Sequence, residues 1–361
     1  MNDANELISF IASMSGEGNL RVEENLGEGY VRLRVSEAER RQAKHDIQHV
    51  EDIVIEMLRN ARDAGADKVY LATTKEDGVR TLVFLDNGSG VPQDMQERIF
   101  DARVTSKLES MKMDRWGVHG RGMALFSIKQ NTDDARVVAS DVDLGSVFKV
   151  SVATDRLGER ADQSSWPQAV KDEDGHYVCA RGPHNIIRAA CEFALEELRA
   201  CDVYLGSPSE IAATLHAQAS SRLDASHLLF IDDEAELPVV DRLGLASDAE
   251  DFIRICSGLG LEMSERTAHR ILAGQIKPVR GVTARLLRER DSSSHASAPV
   301  DLAKDRRGLR IAKDDMAQFS RAVERDFNDL ASRYYLNLCG DPKIRVSRDR
   351  ITVTFDLAKE E

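Results

Sequence analysis

Two carboxylates and an amide run in one line along a segment, Ile53–Ala64, that is otherwise apolar on most sides. Glu56, Asn60 and Asp63 stand at offsets of zero, four and seven, so at about 100° per residue they fall within about 60° of arc. Around them Ile53, Val54, Ile55, Met57, Leu58, Ala61 and Ala64 predict a helix surrounded by core. Its pattern starts at Ser36 and runs to about Ala64, where Gly65 is a good stop. Polar groups left unpaired in such a place are costly. A magnesium ion and a nucleotide would satisfy them; an exposed face with ordinary charges is the other reading of this stripe.

The neighbouring elements limit the architecture. Residues 19–35 alternate as LRVEEN and YVRLRV around LGEG, a β-hairpin with a glycine-containing turn. Beyond Gly65 come the strand KVYLATT, a polar turn at Lys75–Gly78 and the strand RTLVFLD. DNGSGVP follows at once, then a short helix around Asp94–Phe100, a loop through Thr105–Arg115, and GVHGRG opening the helix MALFSIKQ. The strands ARVVAS and SVFKVSVAT, turning at Gly145, complete the unit. Helices and paired strands in this order predict an α/β fold of the α+β two-layer sandwich kind, not a parallel βαβ array.

Two glycine-rich stretches complete a possible site. In DNGSGVP, Asp86 ends an apolar strand and can accept a hydrogen bond from an exocyclic amine, while Gly88 and Gly90 would let backbone approach a flat ring. A simple Asn-Gly turn reads the same residues equally well. The stretch from Gly117 through Gly120 and Arg121 to Gly122 leads straight into a helix, whose N-terminal N–H groups and dipole favour phosphate. No Gly-Lys-Ser/Thr follows, so it is not a Walker A loop.

In order and spacing the three stretches resemble the gyrase–chaperone–histidine-kinase–MutL (GHKL) ATPase family: ExxxNxxDA, then DxGxG, then GxxGxG before a helix. EMLRNARDAGADKVYL, DNGSGVP and VTSK are especially similar to MutL-like members, and Gly145-Ser146 before VFKV matches the family's small-residue turn. The resemblance implies a GHKL ATP-binding fold over residues 35–158, with ATP and Mg2+ as cofactors. It makes Glu56 the general base toward water and Asn60 the magnesium ligand. It gives Asp63 a supporting role and Asp86 the adenine amine, with Gly88, Gly90 and Ser146 shaping the pocket. Thr105 and Lys107 would belong to a lid, and Gly117, Gly120, Arg121 and Gly122 would cradle phosphates. Lys107 as a solvent-facing loop lysine is the other reading. Glu56 resembles the glutamate of the hydrolysing branches, which favours a Mg-dependent ATPase over a kinase. Those branches typically dimerise when ATP-bound, so a homodimer is an implied partner. His45 and His49 fall on the helix expected to carry Asn60, so they cannot form a separate phospho-acceptor element.

The rest of the chain is read from composition and periodicity. Its 361 residues suggest two or three domains, and 42% hydrophobic with 31% charged residues is an ordinary soluble balance. There is no membrane-length apolar run, no basic-then-apolar leader in MNDANELISF, and the five cysteines are widely spaced; a cytoplasmic protein is expected. The expected divisions are a helix and hairpin over 1–34, the ATP-binding domain over 35–158, a mixed, mainly helical domain over 169–290, and a C-terminal helix and hairpin over 300–361. DQSSWPQ (162–168) reads as a linker and DSSSHASAP (291–299) as a flexible joint. The net charge of −13 argues against a chain coated with nucleic acid, but residues 265–290 hold seven Arg or Lys against two Glu. Residues 249–290 loosely resemble a helix-turn-helix with a long turn, capped by Ser264, with Arg266, Arg270 and Arg280 as possible DNA contacts beside His269. An ATP-sensing DNA-binding regulator is thus a further reading. The resemblance to the hydrolysing branches implies a lysine reaching the terminal phosphate from a neighbouring domain, and Lys277 is the position to examine for it.

Overall fold

A computed structural model of the chain describes residues 22–106, 112–119, 122–223, 231 and 233–287, and in the C-terminal part 316, 319–320, 323–324, 327, 336–340, 342–346 and 351–359. Residues up to Asp291 form one compact unit and Ser292–Glu361 a second.

The first hairpin is present as β1 (Val22–Gly27) and β2 (Tyr30–Leu33). The single helix expected from Ser36 to Ala64 is instead two, α1 (Glu37–Asp46) and α2 (Val50–Asp63). Asp52 supplies the reason. Its carboxylate accepts the N–H groups of Gln48 and His49, each at 2.8 Å, and so caps α2 where a continuous helix would need those donors. Ile47 is extended there and buried in the core. His49 is therefore an N-cap and His45 belongs to α1, so the expectation that both ride on the helix of Asn60 is corrected. Ser36 and Glu39 cap α1 reciprocally, and Gly65, at φ 76°, stops α2 as expected.

The sheet follows. β3 (Lys68–Glu76) and β4 (Val79–Asp86) form a hairpin that pairs with β9 (Ser146–Ala153) and then β8 (Asp134–Ser140). Between β4 and β8 lie two 3-10 turns (Gln93–Met95 and Arg98–Phe100, in place of one short helix), then β5 (Val104–Thr105), β6 (Lys112–Asp114), β7 (Gly117–His119) and α3 (Ala124–Asn131). β6 and β7 form a small hairpin, so the start of GVHGRG is a strand. The described residues from 159 to 287 belong to the same compact unit as the sheet. After β10 (Gln168–Lys171), β11 (Tyr177–Arg181) and α4 (Ile186–Glu196), the strand β12 (Asp202–Gly206) joins the main sheet parallel to β3, giving the order β12-β3-β4-β9-β8.

Both faces of this sheet are buried, which explains why its strands read as near-continuous apolar runs. On one face Val69, Leu71, Leu82 and Phe84 pack with Ile53, Met57 and Leu58 of α2, Ile128 of α3 and Phe193 of α4. On the other, Tyr70, Ala72, Val83, Leu85 and Val147 pack with α5 (Pro208–Arg222), α6 (Ala249–Gly258) and α7 (Glu265–Leu272). The expected mixed α/β architecture is present, and residues 208–272 add a further helical layer to it. A short helix, α8, spans 282–287. In the C-terminal unit the expected hairpin is formed by β14 (Lys343–Val346) and β15 (Ile351–Thr354), with β13 (Leu336–Leu338) paired to β16 (Leu357–Lys359).

Candidate functional site

A cavity of about 490 Å³ lies between α2 and the sheet, roofed by α1 and closed by β5 and the start of α3. That volume is within the usual small-molecule range of roughly 300–1,000 Å³. Glu56, Asn60 and Asp63 all line it, so the polar stripe of α2 faces a cavity and not solvent. Opposite them stand Asp86 and Ser146, which are register partners on β4 and β9; Asp86 is 4% exposed and Ser146 3%. Gly90, Thr105 and Gly122 also line the cavity.

Local bonding fixes this geometry. The N–H of Gly88 donates to Asp86 Oδ1 at 2.9 Å, and Asn87 accepts from the N–H groups of Asp67 and Lys68, which ties the loop to the strand before it. Ser140 Oγ donates to the Gly145 carbonyl at 2.8 Å and accepts the Val91 N–H at 2.7 Å, pinning the turn before Ser146. The glycines permit tight backbone packing here. A Cβ on Gly90 would lie 1.8 Å from the Asp141 carbonyl oxygen, and one on Gly88 would lie 2.8 Å from that of Ala64. Gly88 backs the end of α2 and does not line the cavity.

A chain of charges links α2 to the β6–β7 hairpin. Arg59 donates to Glu56 Oε1 at 2.8 Å and to Asp114 Oδ2 at 2.9 Å, and Arg62 donates to the same Asp114 oxygen at 3.1 Å, to Asp63 at 3.0 Å and to Glu197 at 3.2 Å. The Trp116 N–H donates to Asp114 Oδ1 at 3.0 Å, and the Trp116 ring stacks on Phe193 of α4 with 6.4 Å between centroids. Burial opposes the charge of Arg62, yet its bonds to Asp63 and Asp114 hold its pKa above the usual value. Burial, with the Asp114 charge, raises the carboxyl pKa of Glu196. Tyr30, another lining residue, has its phenol pKa raised by burial.

Other expected site residues lie elsewhere. Gly117 pairs with Asp114 in the β6–β7 hairpin. Lys107, Gly120 and Arg121 lie outside the described residues. Arg266, Arg270, Lys277 and Arg280 are exposed and away from the cavity lining, and Val279 packs with the core on the opposite face of the sheet. The reading missed Glu39, Gln42, Asp46, Arg103, Asp114 and Trp116, which reach the cavity or its charge network from elements distant in sequence. Two arginines, Arg59 and Arg62, inside an apolar helix were the signal for the network.

Oxygen donors for magnesium suit the site: Asn60 offers an amide oxygen beside the carboxylates of Glu56 and Asp63, and phosphate and water oxygens would supply the rest. Among the described residues there is no cluster of three His, Cys, Asp or Glu able to hold a metal by itself. Nor is any described helix long and apolar enough to cross a membrane.

Part of the chain resembles known proteins in sequence. Residues 47–140 match the family described as histidine kinase-, DNA gyrase B-, and HSP90-like ATPase. The DNA mismatch repair proteins MutL of Staphylococcus aureus strains Newman and JH1 are each 28% identical over 136 residues, covering 35% of this chain and 20% of the relative. The match thus spans about a fifth of the length of those curated relatives. Most of the cavity lining falls within residues 47–140, and over that stretch the chain matches a GHKL-type ATPase domain, of the histidine kinase, DNA gyrase B and HSP90 kind, with sequence similarity to MutL.

Proposed function

We propose that the protein binds ATP with Mg2+ in the α2–sheet cavity and hydrolyses it, and that its nucleotide state drives a conformational or dimerisation switch. One observation carries this reading: Glu56, Asn60 and Asp63 line the same cavity as Asp86 and Ser146. In this reading Asp86, buried at the end of β4, accepts from the adenine amine. The start of α3, where Met123, Ala124 and Leu125 line the cavity, takes the phosphates. Asn60 holds the magnesium, which offsets phosphate charge when bound. Glu56 orients the attacking water and takes its proton, with its carboxylate positioned by Arg59. Calorimetry with Mg-ATP tests the site. Asn60→Ala and Asp86→Ala should each abolish measurable binding, and wild-type affinity in either variant would refute the assignment. Sizing in the apo, ADP and non-hydrolysable-analogue states tests dimerisation. Transfer of labelled phosphate onto a partner protein without ATP turnover would favour a kinase.

DNA contact by the helical layer is a second reading. α6 and α7 pack together across the connection 259–264, and α7 buries Ala268 and Ile271 while exposing Arg266, His269 and Arg270. Such a basic face suits phosphate contacts. Binding should then weaken steeply with salt, and replacing Arg266, Arg270 and Arg280 together should flatten that slope. Failure to bind duplex DNA at low salt would remove this reading.

A further inference from the structure

We infer that Arg103 is a phosphate-binding residue of the cavity, held in readiness by Glu39 and turned onto the polyphosphate of the bound nucleotide; this rests on the reading that the cavity takes ATP. The charge balance of the lining demands such a group. Among the described residues the lining has five carboxylates (Glu39, Asp46, Glu56, Asp63 and Asp86) and two guanidinium groups, Arg59 and Arg103. A polyphosphate entering that field needs cationic partners. Arg59 is already committed between Glu56 and Asp114. Arg103 is the other.

Three observations set Arg103 apart. First, its side chain is 9% exposed, and Nε is buried with no hydrogen-bond partner among the described residues. A buried unmet donor is costly, and a guanidinium carries a planar fork of N–H groups that fits phosphate oxygens. Second, its backbone lies at φ 63°, a left-handed conformation uncommon for a residue other than glycine. The strain is imposed by bonds on both sides: Arg103 N–H donates to the Gly122 carbonyl at 2.8 Å, and the Arg103 carbonyl accepts the Leu33 N–H at 2.9 Å. Strain of this kind persists where the surroundings enforce it, and it concentrates at ligand clamps. Third, those bonds set Arg103 at the phosphate end of the cavity. Gly122 directly precedes Met123 and Ala124, the start of α3, and a Cβ on Gly122 would lie 3.2 Å from Arg103 Cα. Asp86, the proposed base contact, is on the sheet.

Glu39 is suited to release this arginine. Its Oε1 accepts from Arg103, while its Oε2 accepts from the Ser36 N–H at 2.9 Å and the Ser36 hydroxyl at 3.0 Å. The hydrogen bond from the Ser36 backbone is the main cause that keeps the Glu39 carboxyl pKa below its ordinary value. The two oxygens have separate tasks, so Arg103 can leave Glu39 for a phosphate without uncapping α1.

The test compares Kd values for ATP, ADP and adenosine, with Mg2+, in wild type, Arg103→Gln, Arg103→Lys and Arg103→Gly, alongside thermal midpoints. Arg103→Gln should weaken ATP by about 10- to 100-fold, the loss of a charge-assisted hydrogen bond, and leave adenosine unchanged. Arg103→Lys should recover part of the loss. Arg103→Gly should lose ATP affinity equally while melting at or above the wild-type temperature, because glycine adopts φ 63° without strain. ATP affinity at the wild-type value in Arg103→Gln would overturn the inference, as would equal weakening of ATP and adenosine. If wild type itself binds no ATP, the ATP reading fails first and this inference with it.

Discussion

The two faces of the five-stranded sheet have been put to opposite uses. Behind it, Tyr70, Leu85 and Val147 meet Ile211, Leu215, Phe252 and Ile255 in a closed core, where buried polar groups are paired: the Tyr70 hydroxyl donates to Gln218 at 2.5 Å and the Thr214 hydroxyl to the Glu210 carbonyl at 2.7 Å. In front, α2 packs just as firmly through Ile53, Val54 and Leu58, but its next face carries Glu56, Asn60 and Asp63 along a cavity. One sheet thus has a face that is all stability and a face where apolar packing serves to hold carboxylates in place. Close-packed cores transmit small displacements, which is what a precise polar site needs behind it.

The largest expected effect separates these roles. Phe252→Ala, on the rear face, should cost about 3–5 kcal/mol in urea unfolding. Mg-ATP affinity should survive at temperatures where the variant is folded. Affinity lost while the fold remains would show that the rear layer shapes the site directly. A smaller loss is expected from Asp114→Asn, which removes the charge shared by Arg59 and Arg62: roughly 1.5–3 kcal/mol. Its sharper signature is local, because Trp116 is pinned by Asp114 and Phe193. In a Trp166→Phe background, Trp116 fluorescence should become more accessible to acrylamide, and quenching identical to the parent would detach the hairpin from this network. Smallest of all, the triple change of Arg266, Arg270 and Arg280 to Ala should move stability by no more than about 0.5 kcal/mol per position and leave ATP affinity untouched. A change in ATP affinity would mean that the exposed basic face communicates with the front of the sheet.

Which parts were legible in the sequence follows from the same contrast. The front face was readable because polar residues in an apolar helix are conspicuous, and because Asp86 and Gly90 sit next to an apolar strand. Eight of the expected residues, Glu56, Asn60, Asp63, Asp86, Gly90, Thr105, Gly122 and Ser146, are brought to one cavity. Arg103 and Asp114 were not readable, since an arginine or aspartate in a loop has the same local pattern whether solvated or buried. The break between α1 and α2 was hidden by continuous helical periodicity; the capping by Asp52 becomes visible only once its bonds are known. β12 was missed for a different reason. DVYLG is five residues long, and its place beside β3 depends on a contact more than a hundred residues away in sequence. That pairing turns a helical region into the rear of the same unit.

Turnover by Glu56 variants tests the central claim most directly. A carboxylate that activates water acts mainly in the transition state, so its removal should lower kcat by roughly 10²–10⁴-fold while the Kd for Mg-ATP stays nearly unchanged. Glu56→Gln keeps the shape and a hydrogen-bonding partner for Arg59, which limits any structural disturbance to the loss of charge and basicity. Wild-type and Glu56→Gln protein are compared by single-turnover hydrolysis of labelled ATP and by calorimetry on the same preparations. The account predicts tight binding in both and hydrolysis in wild type alone. Hydrolysis by Glu56→Gln at the wild-type rate would contradict it, and would leave Glu56 as a structural member of the charge network on α2.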